Sequence, residues 1–515
     1  MDIKELLKKQ TQDFPQKKAI IFEEETITFP QLKENTFKLA NFFLKLGIRK
    51  EDRIAIYLSN TPQNIFSQLT TFSIGAVCVP LDFMLTEEEI IHFVNHSGAK
   101  ILIIQPKKGI NLENIKKSCP NLKEIISIQK DWEKILKEES SNEPEVNIEE
   151  EKVAAIFYTS GSTGHPKGVM LTFRHFDNPI KCIDFHLKLT NKDILLCGGV
   201  PFSHIGGLDY LLLMVYYGQT LVLMERFHPL EFLKNIQKYK VTIFWIVPSM
   251  YVAILPLKEY EKFDLSSLKY AVVFGAPSSP ILLKRFRQIC PKAHLLNGWG
   301  MTETSAPSCV LPPGIEKIES VGRFFPGMQA KIVDEEGNSL GLNQVGELWV
   351  KGEGVMVGYY KEEQLTKEVL TEDGWLKTGD LAKYDQDGLF YIVGRKKDMI
   401  KVAGEIVFSP EVEEKILLHP KIKEAAVIGV SDKLRGEVPK AFVVLKGEVD
   451  LCKEELKEFL KQHLAHFKIP HYFEFIKELP KTRSGKIDKH KLCLQEENGS
   501  LIRKGFFYDA KRSSS

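Results

Sequence analysis

Helix-like and strand-like apolar patterns alternate along much of the chain, and this alternation limits the folds that the chain can adopt. Apolar residues at helical spacing predict helices over 32–46, 61–74 and 86–97. Short apolar runs predict buried strands over 53–58, 76–80 and 100–104, and in a second stretch over 194–197, 220–223, 242–247 and 270–273. Repeated strand–helix–strand order favours parallel, doubly wound sheets.

The remaining pattern predicts two further structural units. Residues 319–393 contain short strands separated by glycine and Asp/Asn turns, which is typical of a small distorted β-barrel or sheet. From residue 395 onward, strands and helices form a small α+β pattern. A chain of 515 residues is too long for one hydrophobic core. We therefore predict domains at 1–394 and 395–495 and a flexible tail at 496–515.

Composition excludes several classes of function. The net charge is +2 and no long run of like charges occurs, which argues against a nucleic-acid surface. None of the eight cysteines forms a CxxC pair or a zinc-like cluster, so reduced thiols in a reducing compartment are expected. The N-terminus lacks an apolar signal region, and the most apolar stretch, 205–224, is predicted as a buried helix and strand. We expect a cytoplasmic protein; the sequence is compatible with peripheral membrane contact and indicates no particular oligomeric state.

The segment FYTSGSTGHPKG, residues 157–168, has the composition of a phosphate-binding loop. Its glycines allow the backbone to turn and to direct several N–H groups at one anion, while hydroxyls and a lysine add donors and positive charge. A Walker A loop is excluded because the lysine follows proline where that motif has glycine. The candidate phosphate-binding residues are Thr159, Ser160, Gly161, Ser162, Thr163, Gly164 and Lys167.

This loop resembles the signature of the adenylate-forming superfamily, which includes acyl-CoA synthetases, aryl-CoA ligases, luciferases and peptide-synthetase adenylation domains. Further motifs extend the resemblance over nearly the whole chain. It implies an α/β fold, with a large N-terminal domain of two doubly wound subdomains and a small distorted β-barrel, followed by a small mobile α+β C-terminal domain. It also implies the substrates ATP and CoA, with Mg²⁺ as cofactor.

The segment NGWGMTET, residues 297–304, resembles the second core motif of this superfamily. By this resemblance Glu303 would hold Mg²⁺, since hard carboxylate oxygens suit that ion. Thr302 would donate to the α-phosphate and Trp299 would stack beside the adenine. The turn containing Gly275 and Ala276 resembles the loop that lines the adenine and the acyl group.

The motifs GWLKTGD and YIVGR resemble the ribose-binding motifs, in which Asp380 would accept from the ribose hydroxyls and Arg395 would hold the ribose or phosphate edge. The segment 396–405 resembles the interdomain hinge and the loop after it. The residues assigned there are Lys397 at the pivot, Lys401, and Gly404 in the loop that meets the CoA pantetheine.

The segment PKTRSGKI, residues 480–487, resembles the C-terminal lysine motif. Lys486 would then be the catalytic lysine of the first half-reaction, because a carboxylate that attacks an anionic phosphate needs an opposing positive charge.

The segment PFSHIGG, residues 201–207, resembles the motif near the docked carboxylate, with His204 as its candidate. Apolar residues around it, at 211–214 and 244–251, predict a medium- or long-chain fatty acid as substrate. The lack of a nearby aspartate in this run and of a following carrier domain argues against an amino acid. An aryl acid, or acyl-carrier protein as the acceptor, remains an alternative within the same fold. A non-catalytic scaffold and a kinase-like phosphotransferase are more distant alternatives.

Overall fold

The computed structural model describes residues 1–159, 166–275, 278–403, 405–432, 434–447, 449–482 and 486–497. In chain order, its helices α1 to α15 span Ile3–Asp13, Phe29–Lys45, Pro62–Ser73, Glu87–Ser97, Leu112–Ser118, Trp132–Glu138, Asp177–His186, Ile205–Tyr217, Pro229–Tyr239, Pro248–Ile254, Pro280–Ile289, Glu363–Val369, Ser409–Leu417, Lys453–Lys461 and Lys489–Glu497.

The strands are numbered in the same way. β1 to β13 span Lys18–Phe22, Glu25–Thr28, Arg53–Tyr57, Val77–Pro80, Ile101–Ile104, Glu124–Ser127, Val153–Thr159, Lys167–Thr172, Ile194–Cys197, Thr220–Leu223, Ile243–Ile246, Tyr270–Val273 and His294–Trp299. β14 to β25 span Cys309–Val310, Arg323–Phe324, Met328–Val333, Gly346–Gly352, Gly358–Tyr359, Leu376–Tyr384, Phe390–Arg395, Met399–Val402, Glu405–Phe408, Ile422–Asp432, Gly436–Leu445 and Tyr472–Phe475.

The first sheet has the strand order β18-β8-β7-β4-β3-β5-β6. The pairs from β7 to β6 are parallel, as the alternation predicts, and their apolar runs are buried. β8, however, pairs antiparallel with both β7 and β18. The short link between β7 and β8 explains this change, because a parallel crossover needs a dozen or more residues. The predicted phosphate loop therefore joins two antiparallel strands.

The second sheet has the order β15-β14-β13-β12-β11-β9-β10-β1-β2. Its centre, from β13 to β1, is parallel, and antiparallel strands close both edges. β9, β10 and β12 occupy the predicted ranges without change. Such mixed sheets are common in large α/β proteins.

The glycine-rich stretch after residue 319 forms a four-stranded sheet, β16-β17-β19-β20. β16 and β17 pair antiparallel, with Lys331 opposite Trp349. The acidic and lysine-rich composition of residues 130–152 predicts an exposed connector, but the region contains helix α6, whose Trp132 is 3% exposed. The few apolar residues of this helix stand among many charged residues, so the sequence pattern does not indicate a packed helix.

The chain divides into two compact units. The first comprises Met1–Thr378 and Ala382–Ile392, and the second comprises Gly379–Leu381 and the chain from Val393 onward. In the second unit, the sheet β22-β21-β24-β23 carries β25 beside β24. Its own apolar clusters contain, among others, Val412, Val438 and Leu456.

The eight cysteines all lie among the described residues, and none of them forms a disulfide bond. Cys452 is exposed and Cys493 is half-buried, whereas the other six are buried. Burial raises the pKa of the Cys197 and Cys290 thiols to about 12, so both stay protonated and behave as small apolar side chains.

Candidate active site

The strands that flank the predicted phosphate loop lie side by side. Thr159, the last residue of β7, is opposite Lys167, the first residue of β8, and its hydroxyl donates to the Lys167 carbonyl over 3.5 Å. Lys167 is half-buried. The other predicted loop residues, Ser160, Gly161, Ser162, Thr163 and Gly164, lie outside the described residues.

Glu303 lies in the 3₁₀ turn Thr302–Thr304, just after β13. Its carbonyl accepts from the Met356 N–H over 2.9 Å, and its side chain is buried at 8% exposure. The Tyr359 hydroxyl donates to Glu303 Oε1 over 3.0 Å. Thr302 is half-exposed at the start of the turn. A buried carboxylate near a surface turn needs such a partner to offset its desolvation.

Tyr359 joins two residues that were predicted separately. It lies on β18 opposite Val169 of β8, and the Lys167 ammonium lies 5.2 Å from the centroid of its ring. Burial raises the pKa of the Tyr359 phenol above its usual range, and the adjacent Glu303 acts in the same direction. The hydroxyl therefore remains a proton donor to the carboxylate, while the face of the same ring contacts the Lys167 ammonium.

Sequence patterns did not single out Tyr359. It stands in a two-residue strand, and neither its spacing nor its composition marks it. Only the pairing of β18 with β8, supported by the Tyr360 N–H donating to the Gly168 carbonyl over 2.7 Å, brings it beside Lys167.

Helix α7 and the turn before it form hydrogen bonds that hold the site residues in place. His175 Nδ1 accepts from the Thr172 N–H over 2.7 Å, and Nε2 donates to the Val355 carbonyl over 2.8 Å. Burial lowers the pKa of His175, which keeps the ring neutral for this pair of bonds. Asn178 Nδ2 donates to the Thr304 and Ser305 carbonyls over 3.2 and 2.9 Å. These contacts fix both the Glu303 turn and the segment that leads to Tyr359.

The residues expected near the adenine occupy two strand ends. Trp299 ends β13, is 7% exposed and packs edge-on against Phe324 with 5.7 Å between ring centroids. Gly275 follows β12 with φ +89°, a conformation that favours glycine. Ala276 lies outside the described residues. Adenine stacking on Trp299 stays a prediction.

His204 caps the N-terminus of α8, and its Nε2 lies 3.9 Å from Asp82 Oδ2. That separation is too long for a hydrogen bond but allows a charge interaction when the imidazole is protonated. Behind it, the Trp245 indole N–H donates to the Gly206 carbonyl over 3.0 Å, and its ring stacks on Tyr210 at 3.6 Å. Most of the apolar residues expected to line an acyl channel are buried in the core: Leu211, Leu212, Leu213, Met214, Phe244 and Tyr251.

The predicted ribose-binding residues, Asp380 and Arg395, both belong to the second compact unit. Arg395 Nε is 2.9 Å from Asp380 Oδ1, with the carboxylate buried at 6% side-chain exposure and the guanidinium 48% exposed. The two side chains are thus brought together, and one carboxylate oxygen is held by the arginine.

The remaining predicted residues of the second unit are exposed. Lys397 lies in the 3₁₀ turn Lys396–Asp398, and the Lys401 N–H donates to Glu437 Oε2 over 3.0 Å. The Lys486 carbonyl accepts from the Thr482 N–H over 2.7 Å. Gly404 lies outside the described residues.

Metal-binding clusters and membrane-spanning helices are two further features that bear on the kind of site. Among the described residues, no three His, Cys, Asp or Glu side chains converge as a metal-binding group. In the same part of the chain, no helix combines the length and apolarity needed to cross a membrane.

Comparison with known proteins agrees with this geometry. Residues 7–360 match the model of the AMP-binding enzyme family, and residues 411–486 match that of the AMP-binding enzyme C-terminal domain. A long-chain-fatty-acid–CoA ligase of Bacillus subtilis is 34% identical, over 95% of this chain and 94% of that protein. The 4-coumarate–CoA ligase 1 of Petroselinum crispum is also 34% identical, over 93% and 90%.

A solved structure covers the whole fold. The o-succinylbenzoate CoA synthetase of Bacillus subtilis, in complex with its acyl-adenylate intermediate, aligns with a TM-score of 0.83 at 30% identity, over 99% of both chains. Its complex with ATP and magnesium ion aligns with a TM-score of 0.84 at 30% identity, over 95% of this chain and 99% of that one. The chain thus belongs to the AMP-binding enzyme family, and it is an AMP-forming acid–CoA ligase of the adenylate-forming superfamily.

Proposed function

We propose that this ligase activates a medium- or long-chain fatty acid as its acyl-adenylate and then transfers the acyl group to CoA. The observation that carries the adenylating function is the arrangement of Lys167 and Glu303 around Tyr359. The lysine and the carboxylate both contact one buried tyrosine, and the lysine follows a segment rich in glycine and hydroxyls. Such a pair of charges suits a triphosphate and its counter-ion.

The same arrangement fits Mg²⁺. Glu303 would supply a hard oxygen ligand, since Oε1 is already oriented by Tyr359 and the side chain is otherwise shielded from solvent. When bound, the ion would neutralise phosphate charge and polarise the phosphoryl oxygens. Lys167 would add a second positive charge on the phosphate side.

In the first half-reaction, an oxygen of the substrate carboxylate attacks the α-phosphorus of ATP, and the bond to the bridging oxygen breaks to release pyrophosphate. Lys486 offsets the repulsion between these two anionic groups. In the second, the CoA sulfur attacks the acyl carbonyl and AMP leaves. The second unit pivots about Lys397 between the two steps, so that one site serves two reactions in turn. Asp380 and Arg395 would orient the ribose.

The fatty-acid assignment is supported by the surroundings of His204. The neighbouring Val200, Phe202 and Trp245 are apolar and buried, so they offer no partner for a second ionised group on the acid. Similarity to a long-chain-fatty-acid–CoA ligase supports the same class.

An aryl acid is the second candidate, and a specific observation favours it. The Trp245 indole is fixed by its bond to Gly206, two residues after His204 in the chain, and by its stacking on Tyr210, so a rigid flat ring is held at this turn. Similarity to a 4-coumarate–CoA ligase supports this class equally.

A substrate panel separates these candidates. AMP and pyrophosphate would be measured with acetate, fatty acids of increasing length, and coumarate- and benzoate-type acids, each with CoA, with acyl-carrier protein and without an acceptor. We expect CoA-dependent AMP release that rises with chain length. Turnover of aryl acids alone would select the second candidate, carrier-protein dependence would change the acceptor, and ADP as product would contradict adenylation altogether.

A further inference from the structure

A partly buried ion pair in the second unit involves Lys489, three residues after Lys486. Lys489, the first residue of α15, places Nζ 2.7 Å from Glu413 Oε1 on α13, and the two side chains are 19% and 17% exposed. The same oxygen accepts from the Val427 N–H over 2.7 Å. Removing two charges from solvent is costly, and these hydrogen bonds offset part of that cost.

Lys489 also contacts the segment predicted as the hinge. Its Nζ donates to Ser409 Oγ over 2.7 Å, and that hydroxyl donates to the Asp398 carbonyl over 3.4 Å. Asp398 ends the 3₁₀ turn Lys396–Asp398, and Ser409 is fully buried. One ammonium therefore connects helix α13 to the turn that contains Lys397.

Lys489 also follows Lys486 closely in the chain, and hydrogen bonds join the residues around Lys486. Besides the Thr482–Lys486 bond, the Lys486 N–H donates to Thr482 Oγ1 over 3.2 Å, and the Asp488 N–H donates to the Pro480 carbonyl over 2.8 Å. Lys481 and Ile487 form a β-bridge. Residues 480–482 are thus joined to residues 486–488, and Lys489 follows directly.

We propose that Lys489, held by Glu413 and Ser409, is a positioning residue that fixes the Lys486 turn relative to residues 396–398. This inference rests on the proposed role of Lys486 in adenylation. A motion at Lys397 then moves the exposed Lys486 as part of a rigid body. Charge stabilisation of a transition state depends on such placement, since a shift of about 1 Å can cost about 100-fold in rate.

The alternative is that the pair only stabilises the second unit. The two roles differ in their dependence on Lys486. A positioning role acts through that lysine and disappears when it is removed. A stabilising role lowers the amount of folded protein and affects both half-reactions, whether or not Lys486 is present.

The experiment compares Lys489→Met and Glu413→Gln, each with Lys486 intact and in a Lys486→Ala background. Single-turnover pyrophosphate release measures adenylation, and thioester formation from added acyl-adenylate measures the second step. We expect each variant to slow adenylation about 10- to 100-fold in the intact chain, to spare the second step, and to add nothing in the Lys486→Ala chain.

Three controls make the result decisive. Lys489→Arg keeps the charge and should restore most of the rate. Lys421→Met removes an exposed lysine that pairs with Glu455 in the same unit, and it should leave both steps near the wild-type rate. Ser409→Ala removes one hydroxyl and should give a smaller, Lys486-dependent loss, which keeps the test open if Lys489→Met does not fold.

The outcomes separate this inference from the proposed function. Equal losses in both backgrounds, parallel loss of both half-reactions, or an unchanged adenylation rate in Ser409→Ala would overturn the positioning role. If Lys486→Ala itself leaves adenylation intact, the assigned role of Lys486 fails, and the positioning role that depends on it fails for that separate reason.

Discussion

At the scale of single residues, the chemistry of this chain depends on how a few polar groups are paired. Tyr359 lies between Lys167 and Glu303, and it does so as a neutral donor because burial keeps its phenol protonated. Glu303 alone would be a buried carboxylate with an unmet cost of desolvation. Its bond to Tyr359 at Oε1 stabilises it.

Removing the Tyr359 hydroxyl should therefore weaken adenylation. A hydrogen bond to a charged group contributes about 1.5–3 kcal/mol, so Tyr359→Phe should lower kcat/KM for adenylation about 10- to 100-fold and raise the Mg²⁺ concentration needed for half-maximal rate. Pyrophosphate release at varied Mg²⁺ measures both effects.

The neighbouring Tyr360→Phe is the matched control. The Tyr360 hydroxyl donates to the Ser97 carbonyl over 3.2 Å, away from Glu303. We expect this variant to change the Mg²⁺ dependence little. An equal effect of the two substitutions would contradict the role assigned to Tyr359.

His186 should make the first unit sensitive to acid. Burial lowers its pKa from 6.5 to about 4, and the nearby Arg323 and Lys188 charges act in the same direction. Because the folded state binds the proton less readily than the unfolded state, stability is fully present above pH 6.5 and is lost as the pH falls towards 4. The loss is on the order of 3 kcal/mol.

Denaturant unfolding at pH values from 7 to about 4 checks this expectation. His186→Gln cannot be protonated and should flatten the pH dependence over that window, whatever its effect at pH 7. Substitution of the exposed His490 by Gln is the control and should leave the slope of the first unit unchanged. A slope that persists in His186→Gln would assign the acid sensitivity to other groups.

At the scale of secondary structure elements, close packing at strand ends places the site residues. Trp299 is the last residue of β13, and Glu303 lies in the turn that follows. Gly275 follows β12, the strand that pairs with β13. Between them, Gly298 leaves room for the Phe274 ring, because a Cβ built at Gly298 would lie 1.9 Å from Phe274 Cε1. The glycine is required by packing here, without any demand for an unusual backbone angle.

Gly298→Ala should therefore destabilise the first unit by about 1–3 kcal/mol through overpacking. The displaced Phe274 adjoins Gly275, so the KM for ATP should rise as well. Thermal unfolding and adenylation kinetics measure the two effects, and Phe274→Leu in the same chain should restore part of the stability.

The control is Gly341→Ala, where a Cβ would meet only Gln344 Oε1 at 3.5 Å, an ordinary contact. This variant should be close to wild type in both measurements. If Gly298→Ala is equally neutral, then Phe274 has space that the structure does not show, and the packing argument is wrong.

At the scale of the whole molecule, the two units have separate apolar cores. The clusters of the second unit contain residues from 400 to 493, whereas those of the first contain residues up to 392. Separate cores imply separate cooperative unfolding, because cooperativity follows shared burial. Such independence would suit the proposed pivot of the second unit between the two half-reactions.

Calorimetry should accordingly resolve two unfolding transitions. Leu456→Ala changes a fully buried residue of the second unit. It should lower the free energy of unfolding of that unit by about 2–5 kcal/mol and leave the transition of the first unit unchanged. Leu69→Ala, at a fully buried position of the first unit, should do the reverse. A single transition that shifts in both variants would mean that the units unfold together.

Much of this molecule follows from local sequence. Periodicity predicted the strands β9, β10 and β12 without error, because a short apolar run between turns has few alternatives. The loop at 157–168 and the turn at 297–304 indicated an adenylating enzyme, because phosphate and Mg²⁺ need particular residue types close together in the chain. The hidden helix α6 was missed because charged neighbours obscured its few apolar contacts.

Relations between distant segments were decided only by the tertiary structure. The pairing of β18 with β8, the place of Tyr359 beside Lys167, and the bond from Lys489 to Glu413 each join residues whose separation along the chain gives no sign of contact. Local patterns depend on a residue and its near neighbours, so the sequence determined the elements and the chemical groups. Strand register and burial depend on the whole packed core, so only the fold decided which of those groups meet.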